Sequence, residues 1–78
     1  MFSISLQRAD HLREYSICQR EGAGWEVKVE EDRTPTRRAF YRDWHRVELA
    51  LALFQREVAE LVGDGWEVIH HSTESVGV

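Results

Sequence analysis

The chain is poor in the residues that staple, break or embed a fold. Its 78 residues include one cysteine, one proline and one methionine, and a single lysine stands beside nine arginines. The lone Cys18 excludes an intramolecular disulfide framework and fits a reducing compartment, so a cytoplasmic location is expected. One proline, with 42% apolar and 31% charged residues, argues against long disordered stretches outside the ends. The longest apolar run, Leu49 to Phe54, is six residues, far short of a signal core or a membrane span. Met1 to Gln7 carries no positive charge, so neither a targeting signal nor a membrane partner is expected. A chain of this length makes one small domain that buries only about 60 to 65% of its unfolded surface.

What is present is a hexapeptide written almost twice, GAGWEV at 22–27 and GDGWEV at 63–68. Glycine tolerates positive φ, whereas Trp and Val suit a half-buried pleated surface, so each copy reads as a turn that hands the chain to a strand. Phe2, Ile4 and Leu6 alternate with Ser3, Ser5 and Gln7, the period of a strand with one buried face. Residues 9–13 read as a polar connection. Tyr15 and Ile17 then alternate with Ser16 and Cys18, and Trp25, Val27 and Val29 follow the first glycine turn, which makes a hairpin with residues 22–24 at its tip. Pro35 marks a second turn, and Thr36 to Tyr41 returns as a fourth strand.

Asp43 is placed to cap a helix, because its carboxylate can accept from a first-turn amide and suits the positive end of the dipole. Trp44, Val47, Leu51, Phe54, Val58 and Leu61, widened by Ala50 and Val62, form one apolar stripe at helical spacing up to about Val62. Gly63 suits a left-handed C-terminal cap, after which Trp66 to Ile69 leaves room for one short strand. The expected fold is α+β: a four-stranded antiparallel meander, then one long helix packed on one face, with a short C-terminal strand. Residues 1–70 form the single domain and 71–78 a frayed tail.

The stretch from Phe40 to Val68, with Ala50, Phe54-Gln55 and Gly65-Trp66-Glu67 at their spacings, resembles the second half of the WGR domain. That domain, known from DNA-damage-dependent poly(ADP-ribose) polymerases, follows an antiparallel sheet with one helix and a short G-Y/W segment. Its Trp-Gly-Arg falls about where Glu31, Asp32 and Arg33 stand, with Arg33 the matching residue. The resemblance implies a sheet-plus-helix fold and contact with DNA ends. The family makes that contact partly through the Trp and Gly that this chain replaces.

Arg33, Arg37, Arg38, Arg42 and Arg46 are interleaved with Phe40, Tyr41, Trp44 and His45, and Asp43 is the one acid among them. This segment carries a net +4 in a chain of net −4, so the molecule is electrically lopsided. Guanidinium groups pair with phosphate oxygens and exposed aromatics stack on bases, which makes Arg33, Arg37, Arg38 and Arg42 candidates for binding nucleic acid or another polyanion. Strand alternation sends Arg38 and Phe40 one way and Arg37, Ala39 and Tyr41 the other. The same arginines can instead form a solvated rim that pairs with Glu26, Glu30, Glu48 or other acids. Phe40 and Trp44 read as core.

Leu49 and Leu53 fall off the main stripe, roughly 120 to 160° around the helix from its centre. They are either tolerated surface leucines, leucines covered by the C-terminal segment, or a self-association patch; the alternative to polyanion binding is a protein-interaction or homodimerisation module that uses this back face of the helix or an open sheet edge. No histidine or cysteine spacing suits a metal, the GxG pairs precede strands rather than helices, and the carboxylates lie on elements too small to enclose a substrate. No cofactor, metal or enzymatic activity is expected.

The arginine reading predicts that labelled oligonucleotides, single- or double-stranded, bind less tightly as salt rises and that an Arg37→Ala/Arg38→Ala variant loses the binding. Titration at low and moderate salt checks it, and absent or salt-insensitive binding refutes it.

Overall fold

Strands form wherever apolar and polar residues alternate. In the computed structural model, which describes residues 2–20, 22 and 24–73, they are β1 (Phe2–Arg8), β2 (His11–Arg20), β3 (Gly24–Glu31), β4 (Thr34–Tyr41) and β5 (Glu67–Thr73), with one helix, α1 (Trp44–Gly63), between the last two. All pair antiparallel in the order β4-β3-β2-β1-β5. The first four strands are therefore a meander, and the chain returns from the helix to lay β5 along the free side of β1. The helix packs on one face of this sheet. The expected α+β architecture is observed.

The turns account for the differences in boundary. β2 begins at His11, earlier than the polar character of residues 9–13 suggests, because β1 and β2 pair from Phe2 opposite Ile17 down to Arg8 opposite His11. Ala9, at φ 52°, makes the connection. The second turn is made by Asp32 and Arg33, at φ 51° and 68°. Two successive residues of positive φ match the twist of a tight hairpin. The Asp32 carboxylate accepts the Leu12 amide at 2.8 Å, and the Asp32 amide donates to the Leu12 carbonyl at 2.8 Å. Pro35 does not make the turn; it sits inside β4, an edge strand that tolerates a missing amide donor.

The buried core alternates along the inner face as the period requires: Phe2, Ile4 and Leu6 from β1, Tyr15 and Ile17 from β2, Val27 and Val29 from β3, covered by Val47 and Phe54 of α1. Trp25, Tyr41, Trp44, Ala50, Leu51, Val58, Leu61 and Trp66 pack half-buried around it. Val62, expected to widen the helical stripe, is exposed instead. Phe40, expected in the core, lies 57% exposed. The strand alternation that turns Ala39 and Tyr41 toward the helix turns Phe40 away from it.

Asp43 caps the helix as expected, with its Oδ1 accepting the His45 amide at 3.0 Å. The C-terminal cap is displaced by two residues. Gly65, at φ 98°, takes the left-handed position, with Gly65 N–H donating to Val62 C=O at 3.1 Å and Trp66 N–H to Leu61 C=O at 3.0 Å. This is the paired hydrogen-bond scheme that ends a helix with a glycine one residue past its cap. Asp64 rather than Gly63 is that cap. The final strand is longer than expected, so His71 to Thr73 belong to the sheet rather than to a frayed tail; 74–78 lie outside the described residues, as does Ala23 at the expected hairpin tip.

In both hexapeptides the glycine directly before the tryptophan has positive φ, but the two differ in what surrounds them. A Cβ on Gly24, at φ 88°, would lie 2.3 Å from the Tyr41 carbonyl oxygen, whereas one on Gly65 would meet Arg8 Nε at 4.0 Å and one on Gly22, also in the first copy, nothing within 4 Å. Gly24→Ala should therefore cost about 2 kcal/mol or more and lower the melting temperature by roughly 10 °C, with Gly22→Ala costing about 1 kcal/mol. Thermal unfolding of both variants beside wild type measures the contrast, and equal losses would contradict it.

Candidate functional site

The arginine segment does not converge on one surface. β4 carries Arg37 toward the helix and Arg38 toward the uncovered face of the sheet. Arg33 sits in the tight turn at one end and Arg42 beyond the strand at the other, roughly 30 Å away by strand rise. The two central arginines are occupied. Arg37 donates twice to Glu57 of α1, at 3.0 Å to Oε2 and 2.5 Å to Oε1. Arg38 donates through Nε to Glu26 of β3, and Arg20 adds a contact to the same carboxylate. Glu26 faces the uncovered side yet is only 5% exposed, because the two guanidinium groups close over it. Of the candidate binding residues, Arg33 and Arg42 make no ion pair among the described residues, nor does Arg46.

These pairs fix the titration of their acids. The Arg37 hydrogen bond lowers Glu57 below the usual carboxylate range, burial opposes it, and a bond from Tyr15 Oη at 3.1 Å lowers it further. Burial raises the fully buried Tyr15 phenol above its ordinary value, so it stays a donor. Tyr15 also meets Phe54 edge to face, with ring centroids 4.9 Å apart, and Arg37 lies over the same Phe54 ring at 5.9 Å. One cluster thus joins β2, β4 and α1. The Arg38 hydrogen bond likewise lowers Glu26.

Beside this cluster lies the surface that the arginine pattern concealed. α1 lies over β3 and meets β4, and beside this contact opens a groove of about 420 Å3 lined by Val27, Val29, Ala39, Tyr41, Leu53 and Phe54 among others, with Arg37 at its wall. A second hollow of about 410 Å3 continues it past Tyr41, Ala50 and Leu53 to Leu49 and Arg46. Leu49 and Leu53, 59% and 47% exposed, therefore border the groove on the β4 side. They are neither on the far back of the helix nor beneath β5, which runs along the opposite edge of the sheet. The helical period displaced them from the core stripe, and the sequence carried no sign of which edge they would meet.

A smaller hollow of about 250 Å3 lies at the other end of the sheet, lined by His11, Leu12, Arg13, Glu31, Asp32 and Trp66. Its polar groups are largely committed: Asp32 to Leu12 and to His11 at 3.2 Å, Arg13 to Glu31 at 2.7 Å, and the Arg13 guanidinium over Trp66 at 5.4 Å. No group of three or more histidine, cysteine or acidic side chains suited to a metal occurs among the described residues, and no described helix is long and apolar enough to cross a membrane.

The folded Glu57 has a depressed pKa, so its stabilising contribution is fully present above the unfolded value near 4.5 and disappears as pH falls through the folded value. Glu57→Gln keeps an acceptor for Tyr15 but loses the charge. It should cost about 1 to 2 kcal/mol at neutral pH, with the gap to wild type closing in acid. Urea unfolding of both proteins from neutral pH down to about pH 3 checks the sign, and a gap that widens in acid would refute it.

Comparison with protein-family models, with curated proteins and with solved structures gave no match.

Proposed function

We propose that this protein is a small non-catalytic protein-interaction module that docks its partner on the β4 edge and the groove between β4 and α1. The observation that carries the reading is the coincidence of two unsatisfied surfaces. β4 is the last strand of the sheet and has no neighbour on its outer side among the described residues, so a row of backbone donors and acceptors faces outward. Immediately beside it run the apolar walls of the groove, with Leu49 and Leu53 exposed on the helix side. An added strand would gain main-chain hydrogen bonds from the first surface and side-chain pockets from the second, which is how sheet edges recognise extended segments.

Binding of nucleic acid or another polyanion is the second reading. Arg42 and Arg46 favour it, two exposed cations without ion pairs near the end of the groove. It is the weaker one, because Arg37 and Arg38 are neutralised by Glu57 and Glu26 and face opposite sides. The WGR-like resemblance adds an expectation of DNA contact, but Asp32 and Arg33 form a tight turn there rather than an open site.

Selection of short displayed peptides against the immobilised protein at low concentration tests the docking reading. Extended peptides with alternating apolar residues should emerge, and Leu53→Glu should weaken them about tenfold without altering the far-UV circular dichroism. A selection that yields no binders, or binders indifferent to Leu53→Glu, would overturn the reading.

A further inference from the structure

We infer that the occupant of this edge is a second copy of the same chain, with β4 paired antiparallel to β4 about a two-fold axis at Ala39. The inference rests on the docking reading above and adds to it the partner, the register and the symmetry.

The two edges of the sheet are unequal. β5 is interrupted: its pairing with β1 slips between Ser5 and Leu6, so that His70 and Val68 are paired and Ile69 is passed over. A bulge of this kind twists an edge away from further pairing. β4 is irregular too, but only at its start. Pro35 lacks an amide, and the register against β3 shifts between Val29 and Glu30. From Arg37 to Tyr41 each residue is paired in order, Val29 opposite Arg37 through Trp25 opposite Tyr41. Five regular residues remain to add a strand.

Those five are Arg37, Arg38, Ala39, Phe40 and Tyr41, two cations and two aromatics about a small centre. A two-fold axis normal to a sheet keeps each side chain on its own face, so opposed residues must share a face and the axis must pass through a residue position. Centred on Arg37 or on Arg38, the pairing sets that arginine against itself. Centred on Phe40, it sets Arg38 against Arg42. Centred on Ala39, it sets Arg38 against Phe40 of the second copy on the uncovered face, and Arg37 against Tyr41 on the helix face, with alanine opposite alanine between them. Every cation then meets a ring, a pairing the molecule already uses within one chain, where Arg38 lies over its own Phe40 at 5.5 Å. Like charges placed directly opposite destabilise a sheet, and a centre on Tyr41, the last residue of β4, would pair the strand with residues beyond its end, so the Ala39 register alone keeps all five residues paired within the strand without an arginine pair.

Two further features suit this pairing. Arg37 is paired with Glu57, and Arg38 shares Glu26 with Arg20 within each copy, so each seam cation already has an acid beside it. The axis also leaves both helices on the same face, one on each side of the seam. The Ala39 pair at the floor leaves height above it for Leu53 and Leu49 of both copies. The product is a continuous ten-stranded sheet whose two grooves close on each other.

Sedimentation equilibrium from micromolar to millimolar concentration should show a monomer–dimer equilibrium. Phe40→Arg, at an exposed position, places Arg38 against arginine twice across the seam and should raise the dimer dissociation constant about tenfold; Leu53→Glu should raise it similarly. Thermal melts establish that both variants remain folded. In a Cys18→Ser background, Ala39→Cys places two thiols on the axis and should give an intermolecular disulfide on mild oxidation, whereas Arg33→Cys should not. A wild type that stays monomeric, a dimer indifferent to Phe40→Arg and Leu53→Glu, or a failure of Ala39→Cys to cross-link would overturn the inference. A monomer that still captures peptides in a Leu53-dependent manner removes the second copy and keeps the docking reading. Neither association nor peptide capture removes both.

Discussion

One helix has to cover five strands. At a spacing of about 4.8 Å the sheet is roughly 24 Å wide, whereas a helix with its side chains is about 10 to 12 Å across. The mismatch sets the character of the whole molecule. Burial is deepest where Leu6, Tyr15, Ile17 and Val29 of the sheet lie beneath the helix and its Val47, and it thins toward both outer strands. At β5 the uncovered width is managed by a bulge; at β4 it leaves a groove.

The Tyr15, Glu57 and Arg37 cluster is how the helix is held off-centre without sliding. Apolar packing is nearly indifferent to small translations, but Glu57 accepts from a β2 phenol and a β4 guanidinium together, and few helix positions satisfy both. The cluster spans three elements and ties β4 to the helix by polar contacts where apolar burial is thinnest. The arginines that look in the sequence like a basic surface are, at Arg37 and Arg38, partners of acids 20 and 12 residues away in the chain. The middle of a positive run in sequence became two separate ion-paired clusters on opposite faces of the sheet.

Much of the fold was legible because local rules decide it. Alternation gave the strands, the three-and-four spacing gave the helix, and Asp43 gave its start, all from neighbours within a few residues. What was not legible depended on the third dimension. Gly63 and Gly65 are both plausible terminators, and which one turns left-handed depends on where Trp66 returns to Leu61. Phe40 is apolar, and only the direction of its strand relative to the helix puts it outside. The length of β5 depends on β1 having a free edge, which no local pattern announces. The groove was the least legible of all: Leu49 and Leu53 could be seen to leave the stripe, but their neighbours Ala39 and Tyr41 belong to another element.

The pairing of β5 with β1 has a consequence for how the molecule is made. The register joins Phe2 to Thr73, nearly the full described span, whereas each hairpin of the meander joins residues close in sequence. Loop closure is costly before contacts repay it, so the four-stranded ribbon can assemble early while the last ladder waits for the helix to dock and deliver the chain to the far side. During synthesis on the ribosome β1 emerges before the other strands of the sheet and β5 after them. Until then the nascent chain carries a bare edge on each side, and the interval before β5 arrives is when it is most exposed to pairing with a neighbour.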